Sequence, residues 1–246
     1  AEATDFTLSA AGPTPISGAG GTESDVNAGT YTLSETTLPG HTAGSWSCDG
    51  GTFTAPNKIA LALDESATCT IDNNDIAPKL HLLKVVVNDN GGTAVVSDFN
   101  LVADGTGSND LSGSSPVDSP STLKADTWAL SETGPAGYAA RDWVCVGGTQ
   151  NGSNITVGIG GEATCTITNN DVTAHLKLVK TVTNDNGGTA APTDFTLSAA
   201  GPTPLSGAGG ADSDVNAGAY TLSETNLPGY TAGSWSCVGG TQNGAS

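Results

Sequence analysis

The sequence predicts an all-β chain, built as tandem β-sandwich repeats with intradomain disulfides. Three observations predict it: a long internal repeat, short alternating strands between turn residues, and cysteines at two fixed places in the repeat. Residues 4–48 align without a gap onto residues 193–237, and 39 of 45 positions are identical. Self-similarity of this kind marks a repeat architecture. Asp5-Phe6, Asp98-Phe99 and Asp194-Phe195 are equivalent points, 93 and 96 residues apart. A period of about 95 residues suits one small β domain.

The units expected from this period are 1–78, 79–173 and 174–246. Only the middle one is complete. The first lacks the counterpart of Leu80–Gly92, and the third stops before the counterpart of Asn154–Asp171. Ends inside repeats are expected of a window on a longer array. They are also expected of an assembly whose missing strands come from a neighbouring chain. Either way the expected partners are further copies of the same repeat, in the same chain or in neighbouring ones.

Segments rich in Thr, Val, Leu and Ile alternate with clusters of Gly, Pro, Asn and Asp, which is the all-β pattern. In the middle unit strands are predicted near 80–87, 98–103, 126–132, 140–146, 154–159 and 163–169. No useful length shows helical periodicity. Six or seven short strands per unit imply a sandwich. The Asn-Asp-Asn-Gly-Gly runs at 88–92 and 184–188 read as tight turns, because Asn and Gly tolerate positive φ.

Cys48, Cys145 and Cys237 share one site in the repeat, and Cys69 and Cys165 share a second. The spacing pairs Cys48 with Cys69 and Cys145 with Cys165. Cys237 is left over, its counterpart position falling beyond Ser246. Trp46, Trp143 and Trp235 each stand two residues before a first-site Cys. Residues i and i+2 of a strand share a face, so Trp and disulfide are expected to pack together. Two cysteines per unit without a nearby His is poor zinc spacing. Disulfides in turn imply an oxidising, extracellular location.

Composition excludes some functions. The formal net charge is -18, with a pI near 4.1 and only seven Lys and Arg. Nucleic-acid binding needs a basic footprint that is absent. No stretch approaches the roughly 20 apolar residues that span a bilayer. His41, His81 and His175 do not recur with a nucleophile or acid partner, so no catalytic constellation is visible and no enzyme is expected. His81 and His175 alternate with apolar residues and are expected to face solvent. Asn151-Gly-Ser and Asn154-Ile-Thr match glycosylation sequons, which arise readily in a chain of this composition.

One segment recurs in every copy: YTLSETTLPGH at 31–41, WALSETGPAGY at 128–138 and YTLSETNLPGY at 220–230. It resembles the Tyr-x-Leu-x-Glu…Pro-Gly-Tyr signature of Cna-B-type, prealbumin-like (SpaA-like) domains of bacterial surface proteins and pilins. The opening Leu-x-Leu-x-Lys, as Leu80-Leu82-Lys84 and Leu176-Leu178-Lys180, resembles that family too. So does the last strand, CTITNND at 165–171. Trp128 in place of Tyr, His41 in place of the final Tyr, the shifted Pro135 and the disulfide depart from the pattern. The resemblance implies an Ig-like or prealbumin-like sandwich.

It also implies a possible intramolecular isopeptide bond between Lys84 and Asn169, assisted by Glu132. The alternation agrees: Lys84 is in step with Leu80 and Leu82, Glu132 with Trp128 and Leu130, and Asn169 with Cys165 and Ile167. Burial would lower the pKa of Lys84 and raise that of Glu132. The bland alternative is a buried ion pair hydrogen-bonded to Asn169. The first copy retains Glu35 and Asn73, and the third retains Lys180 and Glu224.

No cofactor is required, though Ca²⁺ is a candidate. Asp75 and Asp171 lie at the predicted junctions, and Asp89 and Asp185 lie in the Asn-Asp-Asn-Gly-Gly turns; carboxylates and carbonyls are suitable Ca²⁺ ligands. Solvated turn acids are the plain alternative. The function expected from repeats, staples and resemblance is a structural segment of an extracellular stalk or filament. The alternative is an adhesin repeat binding a host or matrix ligand, with residues 104–125, the most diverged and longest loop, as its candidate surface.

Overall fold

The computed structural model describes residues 1–244, so the last two residues of the predicted 174–246 unit lie outside the described residues. The chain is almost wholly β, with three single-turn 3₁₀ segments at Ala3–Asp5, Val96–Asp98 and Pro192–Asp194. Each of these ends at the Phe of an Asp-Phe pair. Their Asp side chains accept the backbone N–H three residues earlier, at 2.8 Å in all three cases. The repeated dipeptide is thus a repeated turn that feeds the next strand.

The middle third holds a two-sheet sandwich. One sheet runs in the order Val117–Asp118, Lys79–Val87, Glu162–Asp171, Tyr138–Ala140, with Val144–Gly147 also paired to Glu162–Asp171. The other runs Leu111–Gly113, Asn100–Asp104, Asp126–Thr133, Asn154–Val157, Thr149–Asn151. Inward residues of both faces form one core that includes Leu80, Leu82, Leu101, Trp128, Leu130, Ile155 and Cys165. Alternation fixes which residues these are: the strand Glu162–Asp171 reads exposed or half-buried and buried in strict turn.

Two differences from the sequence reading have simple causes. The strand expected over 140–146 is two strands, Tyr138–Ala140 and Val144–Gly147, interrupted where Trp143 turns into the core. The segment 104–125 is not a free loop. It carries the strands Leu111–Gly113 and Val117–Asp118, and Leu111, Val117 and Leu123 are buried beneath it. Strands of two or three residues are too short to show an alternation.

The opening strand Lys79–Val87 and the closing strand Glu162–Asp171 are parallel, in register from Lys79↔Glu162 to Val87↔Asn170. All other strand pairs are antiparallel. A parallel first and last strand has a mechanical consequence. The chain enters the unit at one end and leaves it at the other, about 30 Å further on at the usual rise per residue.

The outer thirds repeat parts of this plan. In the first, the sheet order is Ile16–Ala19, Thr7–Ala11, Gly29–Glu35, Lys58–Leu61, Thr52–Thr54, and Asn73–Asp75 pairs with His41–Ala43. In the third, Leu205–Ala208, Thr196–Ala200 and Thr221–Glu224 form one sheet, and Ala174–Val179 pairs with Gly210–Val215. Among the described residues no sheet mixes strands from different thirds.

Cys48–Cys69 and Cys145–Cys165 are disulfides. Each joins directly opposed residues of an antiparallel pair. Trp143 packs in the same core as Cys145 and Cys165, and Trp46 packs beside Cys48 and Cys69. Cys237 is unpaired and exposed among the described residues.

Candidate cross-linking site

The three strand ends singled out by alternation converge. Lys84 stands on the opening strand, where its side chain is wholly buried. Its Nζ donates to Glu132 Oε2 at 2.5 Å. Glu132 comes from Asp126–Thr133 in the opposite sheet, so the pair crosses the sandwich. Asn169 lies on the closing strand, which pairs directly with the opening one: Lys84 faces Ile167 and Val86 faces Asn169. Lys84 and Asn169 are therefore diagonal neighbours on one inward face, a separation that a long side chain bridges.

Asn169 is 4% exposed, and its Oδ1 accepts no hydrogen bond. A buried carbonyl oxygen without a donor is costly. The first third shows what the arrangement allows, because there Asn73 Nδ2 donates to Glu35 Oε2 at 2.8 Å. In the third, Lys180 Nζ donates to Glu224 Oε2 at 2.5 Å. The same glutamate position thus meets the lysine in two copies and the asparagine in another.

Burial pushes the Lys84 ammonium below its ordinary pKa, and the Glu132 hydrogen bond and charge only partly offset this. Phe99, from an Asp-Phe turn, completes the pocket: Lys84 Nζ sits 4.2 Å from its ring centroid. Phe195 stands over Lys180 in the same way at 4.4 Å. An aromatic face holds a desolvated ammonium by cation–π attraction. Phe99 is the site residue that sequence reasoning missed, and its signal was the Asp-Phe pair repeated in all three copies. The ring also packs edge-on against Tyr138, as Phe195 does against Tyr230 and Phe6 against His41.

The prealbumin-like fold domain family SpaA_2 matches this chain three times, at residues 1–71, 75–167 and 171–246. The chain belongs to that family. No curated protein matches it. Among solved structures, the major pilin protein T-13 of Streptococcus pyogenes is similar at 13% identity and a TM-score of 0.34, over 68% of this chain and 89% of that one. The major pilin protein T3.2 of the same species is similar at 12% identity and 0.34, over 68% and 90%. The Bacillus anthracis TIE protein is similar at 15% identity and 0.49, over 93% of this chain and 43% of that one. The three family matches, not these distant likenesses, are what place the chain.

In the middle prealbumin-like unit the acids considered for Ca²⁺ do other work. Asp171 is buried, and its carboxylate accepts the backbone N–H groups of Asp89 at 2.9 Å, Asn90 at 2.8 Å and Gly92 at 2.6 Å. Asn90 Nδ2 donates to its backbone carbonyl. Burial alone would raise the Asp171 pKa; the amides of Gly92, Asn90 and Asp89 overcome that and hold it low. Asp171 and Asp89 meet, but through an amide. No group of three or more His, Cys, Asp or Glu that could hold a metal occurs among the described residues. Asp75, Asp89, Asp171 and Asp185 are not gathered into one such group among the described residues.

The histidines are surface groups. His81 Nδ1 contacts Asp118 at 2.6 Å, and the exposed His175 contacts Asp214 and Asp212. Among the described residues no helix is long and apolar enough to cross a membrane.

Proposed function

We propose that this chain is a structural segment of an extracellular stalk or filament, built from prealbumin-like units spanning 1–78, 79–173 and 174–246. The observation that carries the reading is the core of the middle unit. There the parallel opening and closing strands place the two chain connections at opposite ends, and a disulfide fastens the closing strand. Tension applied through the connections pulls on those two strands, so fastening them resists extension. The disulfides and the acidic surface fit an extracellular setting.

The Lys84–Glu132–Asn169 cluster supplies a second fastening. The neutral Lys84 amine attacks Asn169 Cγ, a new Nζ–Cγ bond forms, the Cγ–Nδ2 bond breaks and ammonia leaves. Glu132, in its protonated form, donates to the carboxamide oxygen that otherwise lacks a donor. It then shuttles the proton from Nζ to the departing nitrogen. A buried lysine with a lowered pKa reaches the neutral form more readily. The event happens once per unit and turns over no substrate.

Intact mass of the full chain tests the reading. One ammonia fewer than the sequence requires, after allowing for two disulfides, is expected, with a Lys84–Asn169 linked peptide after digestion. A full mass with free Lys84 would leave only the ion pair.

A further inference from the structure

A contact between the middle and third units is made by a turn that the sequence repeats. Ala217 N donates to Asn90 O at 2.7 Å, and Asn216 Nδ2 reaches Asp89 O at 3.4 Å. The turn 88–92 of one unit thus seats on the loop 214–218 of the next. The fit is close: a Cβ on Gly91 would stand 2.3 Å from Ala217 O and 2.9 Å from its N.

Both partners are held rigid from within their own units. The turn is gripped by Asp171 through three amides, and by Tyr138, which donates to Asn88 Oδ1 and accepts from Ala94 N. The loop is braced by Thr203, which accepts from Asn216 N, and by Tyr220, which donates to Asn216 O. The first unit carries the same loop with the same braces: Asn27 N donates to Thr14, and Tyr31 donates to Asn27 O. The third unit carries the same turn, braced by Tyr230 on Asn184 and Ala190.

A second contact lies between the first and middle units. Gly160 N of the middle unit donates to Ile76 O of the first at 2.6 Å, while Ile76 N is held within the first unit by Gly40 O at 2.8 Å. A Cβ on Gly40 would stand 2.6 Å from Ile159 Cγ1. The middle unit repeats the lower half of this contact, since Val172 N donates to Gly137 O at 2.9 Å. The exit end of a unit therefore presents two features, the Asp171-gripped turn and the Pro-Gly-type turn beside the linker. The entry end of the third unit receives the first feature, and the entry end of the middle unit receives the counterpart of the second.

We propose that the first of these contacts is a fixed joint between the middle and third units, with the Asn-Asp-Asn-Gly-Gly turn as its knob and the Asp-Val-Asn-Ala-Gly loop as its socket. The partner is the next unit of the same chain. A contact this small binds only weakly between free molecules. A short linker supplies an effective concentration in the millimolar range, which is what such a contact needs. A contact away from the linker, added to the linker itself, ties the two units at two separate points and restricts swivelling between them. The inference rests on the stalk reading but fails separately from it, because a chain of freely jointed units would still be a stalk.

Residual dipolar couplings of the full chain test the joint, and the sequence supplies the control. Gly91 (φ +91°) touches Ala217, whereas Gly187 (φ +83°) in the same turn of the third unit has nothing within 4 Å. Asn tolerates left-handed backbone, so Gly91→Asn and Gly187→Asn impose similar strain on their own turns. In the unmodified chain the middle and third units are expected to share one alignment tensor. Gly91→Asn is expected to split it into two, and Gly187→Asn to leave it single. Ala217→Pro deletes the donor from the other side and is expected to act as Gly91→Asn does. Separate tensors in the unmodified chain overturn the proposal, even if a variant fails to fold. So does a single tensor that survives both Gly91→Asn and Ala217→Pro.

Discussion

In the first unit Asn73 Nδ2 donates to Glu35 Oε2 at 2.8 Å. In the third, the equivalent glutamate, Glu224, instead takes the lysine ammonium of Lys180 at 2.5 Å. In the middle unit Glu132 takes Lys84 at 2.5 Å, and Asn169 stands diagonally across the strand pair from that lysine. The carboxylate is the member common to both contacts.

Glu132→Ala therefore has two expected effects. Lys84 and Asn169 stay unlinked, leaving the variant one ammonia heavier than the parent once the substitution is subtracted. The wholly buried Lys84 ammonium also loses its partner. Removing one member of a buried pair costs about 3–5 kcal/mol. Mass spectrometry reads the first effect and urea unfolding the second. Equal losses of ammonia in variant and parent would show that Glu132 takes no part in bond formation.

The disulfide is a separate staple. Cys145 and Cys165 close a loop with a sequence separation of 20, and a loop of that length contributes about 3 kcal/mol in the chain-entropy model. Cys145→Ser with Cys165→Ser is expected to lower the middle unit's unfolding free energy by about that much. The substitution is not expected to prevent the Lys84–Asn169 link, since Lys84, Glu132 and Asn169 are placed by strand register. Loss of both the disulfide and the link in the double variant would mean that the cluster depends on the disulfide for its geometry.

Those features were legible because each leaves a mark in the linear sequence. Alternation places Lys84, Glu132 and Asn169 among core residues, and equal spacing pairs the cysteines. Asp171 left no such mark. Its partners are backbone amides 79 to 82 residues away, and an amide N–H looks the same at every residue. An acid beside a turn therefore read as a cation ligand, when it is an acceptor for the turn itself. Phe99 was read as a landmark of the repeat rather than as the ring beneath Lys84. The segment 104–125 reads as loop because its strands are too short to alternate, though its own Leu111, Val117 and Leu123 are buried in the core and make it part of the wall.

Asp171→Ala removes the acceptor for three amides at once. Hydrogen exchange at Asp89, Asn90 and Gly92 is expected to speed up roughly tenfold or more, with the core strands changing far less, because the turn opens locally. Its acid dependence has a definite sign. The folded-state pKa is held below the ordinary aspartate value. Its contribution is thus complete above that ordinary value and fades as pH falls through the lower, folded one. Unchanged exchange at those three amides would show that the turn holds itself.

Asp126 gives a second acid-sensitive point, in the segment peculiar to the middle unit. It accepts Thr106 N at 2.6 Å, Asn109 Nδ2 at 3.1 Å, Thr127 N at 2.8 Å and Thr106 Oγ1 at 3.0 Å. The Thr106 amide, followed by Asn109, depresses its pKa from 3.8 to about 2. Stability from this group is fully present above pH 3.8 and lost as pH falls through about 2. The site is partly open to water, so the loss is of order 1 kcal/mol after solvent screening. Asp126→Asn keeps the shape but weakens the acceptor, and is expected to flatten the acid limb of the middle unit's unfolding midpoint between those two pH values. Asn109 also accepts from Lys124 N and Trp128 Nε1, so the same variant is expected to loosen 106–110 and 124 before any core strand. An acid limb identical in parent and variant would show that the tie between Asp126 and Thr106 contributes nothing to stability.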